Sequence, residues 1–165
     1  MKDDYGYAQI CLNGHILTYE SNEIQIQQDF CHTCGQKIIN ECQNCNTPIK
    51  GGIRYESFID PPYAYYSNPY HRPAYCYKCG HAFPWTISAQ LSALELINCA
   101  TLLNDPEKKE LKSSIDNLMI DSPKTSVSII KFKTYAAKAG TEIAKGLRDI
   151  LIDLVSEVAK KSIWG

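Results

Sequence analysis

The chain of 165 residues (18.6 kDa) is long enough for one modest domain or two small ones, which excludes a multidomain enzyme. Its 17 basic and 18 acidic side chains nearly cancel, and the first 90 residues carry more acidic than basic groups, so the charge disfavours binding to nucleic acid. Acidic residues stand where a signal peptide needs an apolar run, and no apolar stretch reaches the ~18 residues of a membrane span. We therefore expect a cytoplasmic protein that does not bind membranes.

Short strands are predicted in the first half of the chain. The runs are rich in aliphatic and aromatic residues and are separated by glycines and tight turns. They cover residues 7–12, 15–19, 37–39 and 53–58. None of these runs is long enough to bury a core by itself.

Four pairs of potential metal ligands are interspersed with these strands. They are Cys11 with His15 (CLNGH), Cys31 with Cys34 (CHTC), Cys42 with Cys45 (CQNC) and Cys76 with Cys79 (CYKC). Two residues between cysteines turn both sulfurs toward one ion, and two such pairs complete the tetrahedron that zinc prefers. In a reducing compartment paired cysteines bind metal more often than they form disulfides. We therefore expect two structural Zn²⁺ ions per chain.

Two ways of pairing these ligands are possible. Sequential pairing gives one site of Cys11, His15, Cys31 and Cys34 and a second of Cys42, Cys45, Cys76 and Cys79, whereas interleaved pairing gives a RING-like arrangement. The short spacer between Cys34 and Cys42 favours sequential pairing, as does the aromatic residue before Cys31 and before Cys76. Two alternatives remain open: His32 in place of His15, and rubredoxin-like iron in the all-cysteine site.

The sequence carries no pattern typical of a catalytic site. Each predicted metal site can be filled by four protein ligands, whereas a catalytic zinc keeps a position open for water. The GxSxG, HExxH, deaminase and phosphate-loop patterns are absent. The remaining cysteine, Cys99, is expected to behave as a small apolar residue of a helix. We therefore expect that the protein is not an enzyme.

A tyrosine- and proline-rich segment, DPPYAYYSNPYHRPAY, lies between the two halves of the second predicted site. Prolines stiffen the backbone, so the rings are presented at little entropic cost, as in recognition surfaces. The candidate partner-binding residues are Tyr63, Tyr65, Tyr66, Tyr70, His71 and Arg72. Alternatively, the tyrosines cover the small core, or they stack on nucleic-acid bases with Arg72 at a phosphate.

Helical periodicity begins after Pro84. The first helix is predicted with Thr86 as N-cap and the second with Asp105 as N-cap and Pro106 at its first position. The third follows Ser122 and Pro123 and continues close to Gly165. Its apolar stripe is Ile129, Phe132, Ala136, Ala139, Ile143, Leu147, Ile150, Leu154 and Val158. A stripe of this length predicts packing against a partner helix.

The partner helix can belong to another copy of the chain or to the same chain. The first alternative predicts a homo-oligomer that assembles through residues 125–162. The second predicts a bend or an ordinary helical hairpin. A third alternative, in which the apolar face lies on a membrane surface, is disfavoured by Asp149, Asp153 and Glu157 on the polar face.

Residues 8–84 resemble double zinc ribbons because Gly35 and Gly80 directly follow the last ligand of each unit. The chain also resembles a bacterial family of cysteine-rich proteins of unknown function, through Asn13-Gly14-His15, the knuckle at residues 42–45, and Cys79-Gly80 followed by Phe83-Pro84-Trp85. Gln43 and Asn46 depart from the pattern, which favours proline and glycine there. The resemblance implies a zinc-binding fold and no reaction.

Together these patterns predict an α+β protein. Residues 1–85 form two tandem zinc ribbons, and residues 86–165 form a helical domain of about three helices with a long amphipathic C-terminal helix. The predicted function is a noncatalytic zinc-binding module for protein interaction or oligomerisation. The alternatives are a nucleic-acid-associated ribbon and an effector or enzyme whose activity lies in the helical part.

Overall fold

The computed structural model describes residues 4–21, 28–57, 63–66 and 69–165, without the side chains of Ser57, Tyr63 and Ala64. The chain divides into two compact units, Met1–Ile87 and Ser88–Gly165. Strands lie in the first and helices dominate the second, so the predicted α+β class is confirmed. Within the described ranges, no helix combines the length and apolar character needed to span a membrane.

The first unit is built on an antiparallel sheet. Its strands are β1 (Tyr5–Cys11), β2 (Ile16–Ser21), β3 (Ile38–Ile39), β4 (Lys50–Ser57) and β5 (Tyr63–Tyr66). The order is β2-β1-β4-β5, and β3 also pairs with β1. Each predicted strand overlaps one of these, although Phe58 lies outside the described residues. The prediction missed β5, which pairs with β4 from within the tyrosine-rich segment.

Strand β1 joins the two predicted ribbons into one body. It ends on the metal-ligand candidate Cys11, pairs with β2 and β3, which lie next to ligands of the first group in the sequence, and pairs with β4, which lies between the two cysteine pairs of the second group. Its Ala8 and Ile10 are fully buried against Ile49, Phe83 and Trp85. Because Cys42 and Cys76 belong to the same cluster, their sulfurs contribute to the core as well as to the metal site.

Five helices follow the sheet. They are α1 (Pro84–Asn98), α2 (Asp105–Leu118), α3 (Pro123–Ala139), α4 (Thr141–Leu151) and α5 (Glu157–Trp164). Helix α3 begins at Pro123 with Ser122 as its N-cap, at the Ser122–Pro123 boundary where the sequence predicts the start of the third helix.

Three predictions about single residues of the helices need correction. Thr86 lies inside α1, where its hydroxyl donates to the Ala74 carbonyl at 2.8 Å, so it is not an N-cap. The N-cap of α2 is Asn104 and not Asp105, and Asn104 forms a capping box with Glu107. Cys99 follows the end of α1 and is exposed, so it is not a buried apolar residue.

The predicted long C-terminal helix is wrong, because the segment forms three helices. Gly140 ends α3 with a φ of 98°, a conformation that glycine adopts without the penalty of a Cβ. The second break follows α4, where the Ser156 N–H donates to the Leu118 carbonyl at 2.8 Å and the Ser156 hydroxyl caps α5. Gly140 therefore marks a bend, as the intramolecular alternative predicts.

Much of the predicted stripe is buried within the second unit itself. Phe132, Ala136 and Leu147 are at most 5% exposed, whereas Val158 is 46% exposed. Because the segment is not one continuous helix, the length of its apolar stripe no longer supports a homo-oligomer through residues 125–162. The homo-oligomer stays a prediction.

Helices α2 and α3 are joined by two ion pairs, Glu107–Lys138 and Glu110–Lys131. The ammonium groups of Lys138 and Lys131 hold the pKa values of Glu107 and Glu110, respectively, below their ordinary value of 4.5. Because the folded-state pKa lies below the unfolded one, the stabilisation is fully present above the unfolded pKa and is lost as the pH falls through the folded pKa.

We expect Glu110→Gln to lower the melting temperature of the helical unit at neutral pH and to lose this effect in acid. The melting is followed through the NMR signal of the Trp164 indole, so that loss of metal from the first unit does not enter. Glu95→Gln is the control, because Glu95 forms no ion pair in the described part of the chain. If the melting temperatures of Glu110→Gln and wild type differ by the same amount at every pH down to about 3, this account is contradicted.

Candidate metal centres

The three cysteine knuckles share one backbone conformation. In each, the first cysteine donates its N–H to the carbonyl five residues on and accepts from the N–H four residues on, all at 2.8 Å. The donor–acceptor sets are Cys31 with Gln36 and Gly35, Cys42 with Thr47 and Asn46, and Cys76 with His81 and Gly80. One residue beyond, the flanking residues of each knuckle form an isolated antiparallel bridge. The CxxC spacing therefore builds the same turn three times.

A left-handed residue closes every knuckle. Gly35 and Gly80 have φ angles of 70° and Asn46 has 56°. Asparagine is among the residues that tolerate this region best after glycine, so the departure at Asn46 leaves the turn intact.

Gly35→Ala should weaken the zinc affinity of the first site about tenfold. A Cβ at Gly35 would meet nothing within 4 Å, so the penalty is the backbone strain alone, about 1–2 kcal/mol. The affinity is measured by competition with a chromophoric chelator. Asn46→Gly, at the corresponding position of the second site, is the matched control. Its second site should bind zinc as tightly as that of wild type or slightly more tightly. An unchanged affinity in Gly35→Ala would contradict the requirement for a left-handed residue.

The first pair, Cys11 and His15, lies on a tighter turn between β1 and β2. The Cys11 N–H donates to the His15 carbonyl at 3.0 Å, and the His15 N–H approaches Cys11 Sγ at 3.3 Å. Gly14 has a φ of 86°, and a Cβ there would lie 2.9 Å from Cβ of Trp85 and 3.1 Å from the Arg72 guanidinium. The Asn-Gly-His motif therefore needs glycine for its conformation and for its packing.

The first group consists of Cys11, His15, Cys31 and Cys34. His15 Nδ1 lies 3.5, 3.7 and 3.3 Å from the sulfurs of Cys11, Cys31 and Cys34, and the Cys11 and Cys34 sulfurs are 3.7 Å apart. A zinc tetrahedron with bonds of ~2.3 Å to sulfur and ~2.0 Å to nitrogen has edges of about 3.8 and 3.5 Å. The donor atoms thus match the edges of that tetrahedron, and Nδ1 is the nitrogen that faces it.

His32, the alternative ligand, does not belong to this group. It is exposed and lines a shallow pocket with Gln9 and Thr18.

The second group consists of Cys42, Cys45, Cys76 and Cys79. The sulfurs of Cys42 and Cys79 are 3.7 Å apart, and those of Cys45 and Cys76 are 3.6 Å apart. These distances match the edge of a zinc–sulfur tetrahedron and are far longer than a disulfide bond of ~2.05 Å. The four cysteines are free thiols. Both groups follow the sequential pairing.

Two side chains that sequence analysis missed approach the second group. The Asn44 amide donates to Cys79 Sγ at 3.6 Å, and the Thr47 hydroxyl lies 3.2 Å from Cys45 Sγ. Both residues sit in or directly after the CQNC knuckle. A polar residue at these positions could have signalled a donor to a thiolate.

Hydrogen bonds and burial set the pKa values of the thiols in opposite directions. Burial raises the pKa of Cys31, but the N–H groups of Thr33 and Cys34 outweigh it and lower the value to about 6. The Thr47 hydroxyl lowers the pKa of Cys45 to about 6. Burial raises the pKa of Cys42 to about 11. Each group therefore contains a thiol that ionises readily, and a bound cation favours ionisation of the others.

The first cysteine of each pair is buried and the second ligand faces outward. Cys11, Cys31, Cys42 and Cys76 are buried, Cys34 and Cys45 are intermediate, and His15 and Cys79 are exposed. In each group, therefore, two of the four candidate ligands are fixed in the core. Both donor sets suit a metal ion that prefers four sulfur and nitrogen ligands.

Residues 4–163 match the family described as uncharacterised proteins conserved in bacteria, DUF2321. The chain belongs to this family. Neither the curated proteins nor the solved structures provide a match. The match spans both units of this DUF2321 protein, so the metal-ligand groups and the helices are parts of one family sequence.

The predicted partner-binding residues of the DUF2321 protein fall into different environments. Tyr70 stacks on Tyr19 at 4.8 Å and donates its hydroxyl to the Lys50 carbonyl at 2.7 Å, and burial raises its pKa. Arg72 donates to the Gly14 carbonyl at 3.0 Å. These two residues hold the tyrosine-rich segment on the metal unit.

The other candidates differ from these two. Tyr66 packs its ring over Gly6, where a Cβ would lie 2.8 Å from the ring. Tyr65 is 51% exposed and stacks on Tyr55, with ring centroids 5.3 Å apart, and His71 is exposed. The side chain of Tyr63 lies outside the described part of the structure. Tyr65 and His71 are therefore the described candidates that face outward.

Proposed function

We propose that this protein is a noncatalytic zinc protein, in which two structural zinc ions hold a small β unit that binds a protein partner. The observation that carries the proposal is the completeness of each ligand group. Each group offers four protein donor atoms that all lie within 4.8 Å of one another. Four protein ligands close a zinc tetrahedron, whereas catalytic zinc sites keep one position for water or substrate.

The donor chemistry supports zinc as the resident metal. Sets of three cysteines with one histidine, and of four cysteines, are characteristic of structural zinc sites. Thiolates disfavour magnesium and calcium, which prefer oxygen ligands. Short strands and small apolar clusters give the first unit little apolar core, so it needs the stabilisation that a structural metal supplies.

The surface we propose for the partner is the outer part of the β4–β5 hairpin. Tyr55 and Tyr65 lie opposite each other in register and are 43% and 51% exposed. Their stacked rings form a pre-ordered amphipathic surface, and such rings bind with little loss of side-chain entropy. Seven thiolates with two zinc ions would add about three negative charges to the already acidic first half of the chain. That charge favours a protein partner over nucleic acid.

Cobalt substitution tests the closed coordination. With two Co²⁺ ions bound, the visible spectrum should show intense tetrahedral bands with sulfur-to-metal charge transfer, and added azide should leave it unchanged because no position is open. A spectrum that shifts with azide at either site would contradict the noncatalytic proposal.

Capture from a bacterial lysate tests the tyrosine surface. Wild type should retain a specific protein that Tyr65→Ser loses, while both keep their bound zinc. Phe30→Ser is the matched control, because Phe30 is 63% exposed in the same unit but lies outside the hairpin. If Tyr65→Ser captures the same proteins as wild type and as the Phe30→Ser control do, the hairpin does not bind the partner.

A further inference from the structure

An open pocket of about 250 Å³ lies in the helical unit, between the C-terminal end of α4 and the length of α5. Arg148 of α4 and Ile152, which directly follows α4, line the pocket. Lys160, Lys161 and Trp164 line it from α5. None of these residues belongs to the metal-ligand groups, so the pocket is a separate feature of the molecule.

The pocket carries an excess of positive charge. Its lining includes the basic side chains of Arg148, Lys160 and Lys161 and one acidic side chain, Glu157, and Gly165 also lines it. Within the described ranges, none of the three basic side chains makes an ion pair. Arg148 and Lys161 lie in the last turns of their helices, where two helix dipoles would offset only about one positive charge. The side chains that line the pocket therefore keep a net positive charge.

The wall of the pocket is apolar and held in place. Trp164 is only partly exposed, and its ring meets the buried Phe132 edge-on, with centroids 5.8 Å apart at an angle of 86°. Ile152 is also partly buried. An anchored indole beside three basic groups offers an apolar surface and charged hydrogen-bond donors to the same ligand.

We propose that this pocket binds a small organic anion, namely a phosphate or carboxylate carried on an apolar or aromatic body. The basic side chains would bind the anionic group, and Trp164 and Ile152 would contact the body. The volume lies just below the ~300–1,000 Å³ typical of pockets for drug-sized ligands, so the ligand is small or enters by one end. Inorganic phosphate, which lacks the body, should bind more weakly.

The test is an NMR titration of the full-length, zinc-loaded chain with phenyl phosphate. The chain has two tryptophans, so the indole signal of Trp85 in the metal unit is an internal control. We expect the Trp164 signal to shift saturably while Trp85 stays unchanged. Lys160→Gln with Lys161→Gln should weaken binding at least about tenfold, because charged hydrogen bonds are lost. Lys124→Gln with Lys133→Gln, the same charge change at exposed positions of α3, should bind as wild type does.

Three results would overturn the proposal: an unmoved Trp164 signal at millimolar phenyl phosphate, an equal response to benzylamine, or undiminished binding in the Lys160/Lys161 variant. Vesicles identify the source of the anion. Binding to phosphatidylglycerol but not phosphatidylcholine vesicles, displaced by phenyl phosphate and lost in the Lys160/Lys161 variant, would assign a lipid headgroup. Binding of phenyl phosphate without binding to either vesicle would assign a free small anion.

Discussion

Replacing Cys76 with serine should release one zinc ion and unfold the metal unit. Cys76 is 4% exposed, and its sulfur lies 3.6 Å from that of Cys45, so the change leaves three ligands around the ion. Structural zinc supplies on the order of 10 kcal/mol, which is comparable with the whole stability of a small domain. The expected result is one zinc fewer per chain and collapse of the dispersed amide signals of β1 and β4.

Cys99→Ser is the matched control for this change. Cys99 is exposed and lies outside both ligand groups, so this variant should keep two zinc ions and all of its amide signals. Treating wild type with a strong chelator should reproduce the loss of signals. A Cys76→Ser variant that keeps two zinc ions and a wild-type spectrum would show that the second group is not a structural metal site.

Replacing Trp85 with alanine should destabilise the zinc-loaded metal unit by about 3–5 kcal/mol, as expected for a large buried aromatic ring. Trp85 is 3% exposed and stacks on Phe83 with centroids 4.7 Å apart. Its indole N–H donates to the Pro73 carbonyl at 2.9 Å. It also packs against Gly14, between the ligands Cys11 and His15. The residue therefore links the core to the first metal-ligand group.

Trp85→Phe separates the ring from its hydrogen bond. It keeps an aromatic ring but leaves the Pro73 carbonyl without its donor, so we expect a smaller loss of about 1–3 kcal/mol. Phe30→Ala is the control, since an exposed side chain should change stability by no more than about 0.5 kcal/mol. Urea denaturation of the zinc-loaded chain, followed by the amide signals of the first unit, measures all three variants. Stability of Trp85→Ala equal to that of Phe30→Ala would contradict the structure of this core.

The metal-ligand groups could be predicted because their geometry is local. A CxxC knuckle is completed by hydrogen bonds within about six residues of its first cysteine, as at Cys31 and Cys76. The sequential pairing also followed from short-range features of the sequence. The contact of Asn44 with Cys79 could not be predicted, because it joins residues 35 positions apart through the folding of the whole unit.

The periodicity of apolar residues could not show where the last helices break. The spacing on each side of Gly140 is the same in one long helix as in two short ones. What decides between them is tertiary structure, including the hydrogen bond from the Ser156 N–H to the Leu118 carbonyl. The sequence offered two interior glycines, Gly140 and Gly146, and only Gly140, with a φ of 98°, marks a break.

Composition alone also could not separate the tyrosines of the tyrosine-rich segment. Tyr65 and Tyr70 occur in the same proline-rich stretch, yet Tyr65 is half exposed and Tyr70 donates a hydrogen bond to the β4 backbone. Their environments depend on the pairing of β4 with β5. Prolines on both sides of β5 made this strand hard to recognise from the sequence.

A native mass spectrum of the full chain tests the central claim most directly, because it counts bound metal ions on the folded protein. The account predicts two zinc ions per chain, whatever the number of chains in the particle. One zinc ion per chain, or none, after expression with zinc would contradict the two closed metal sites.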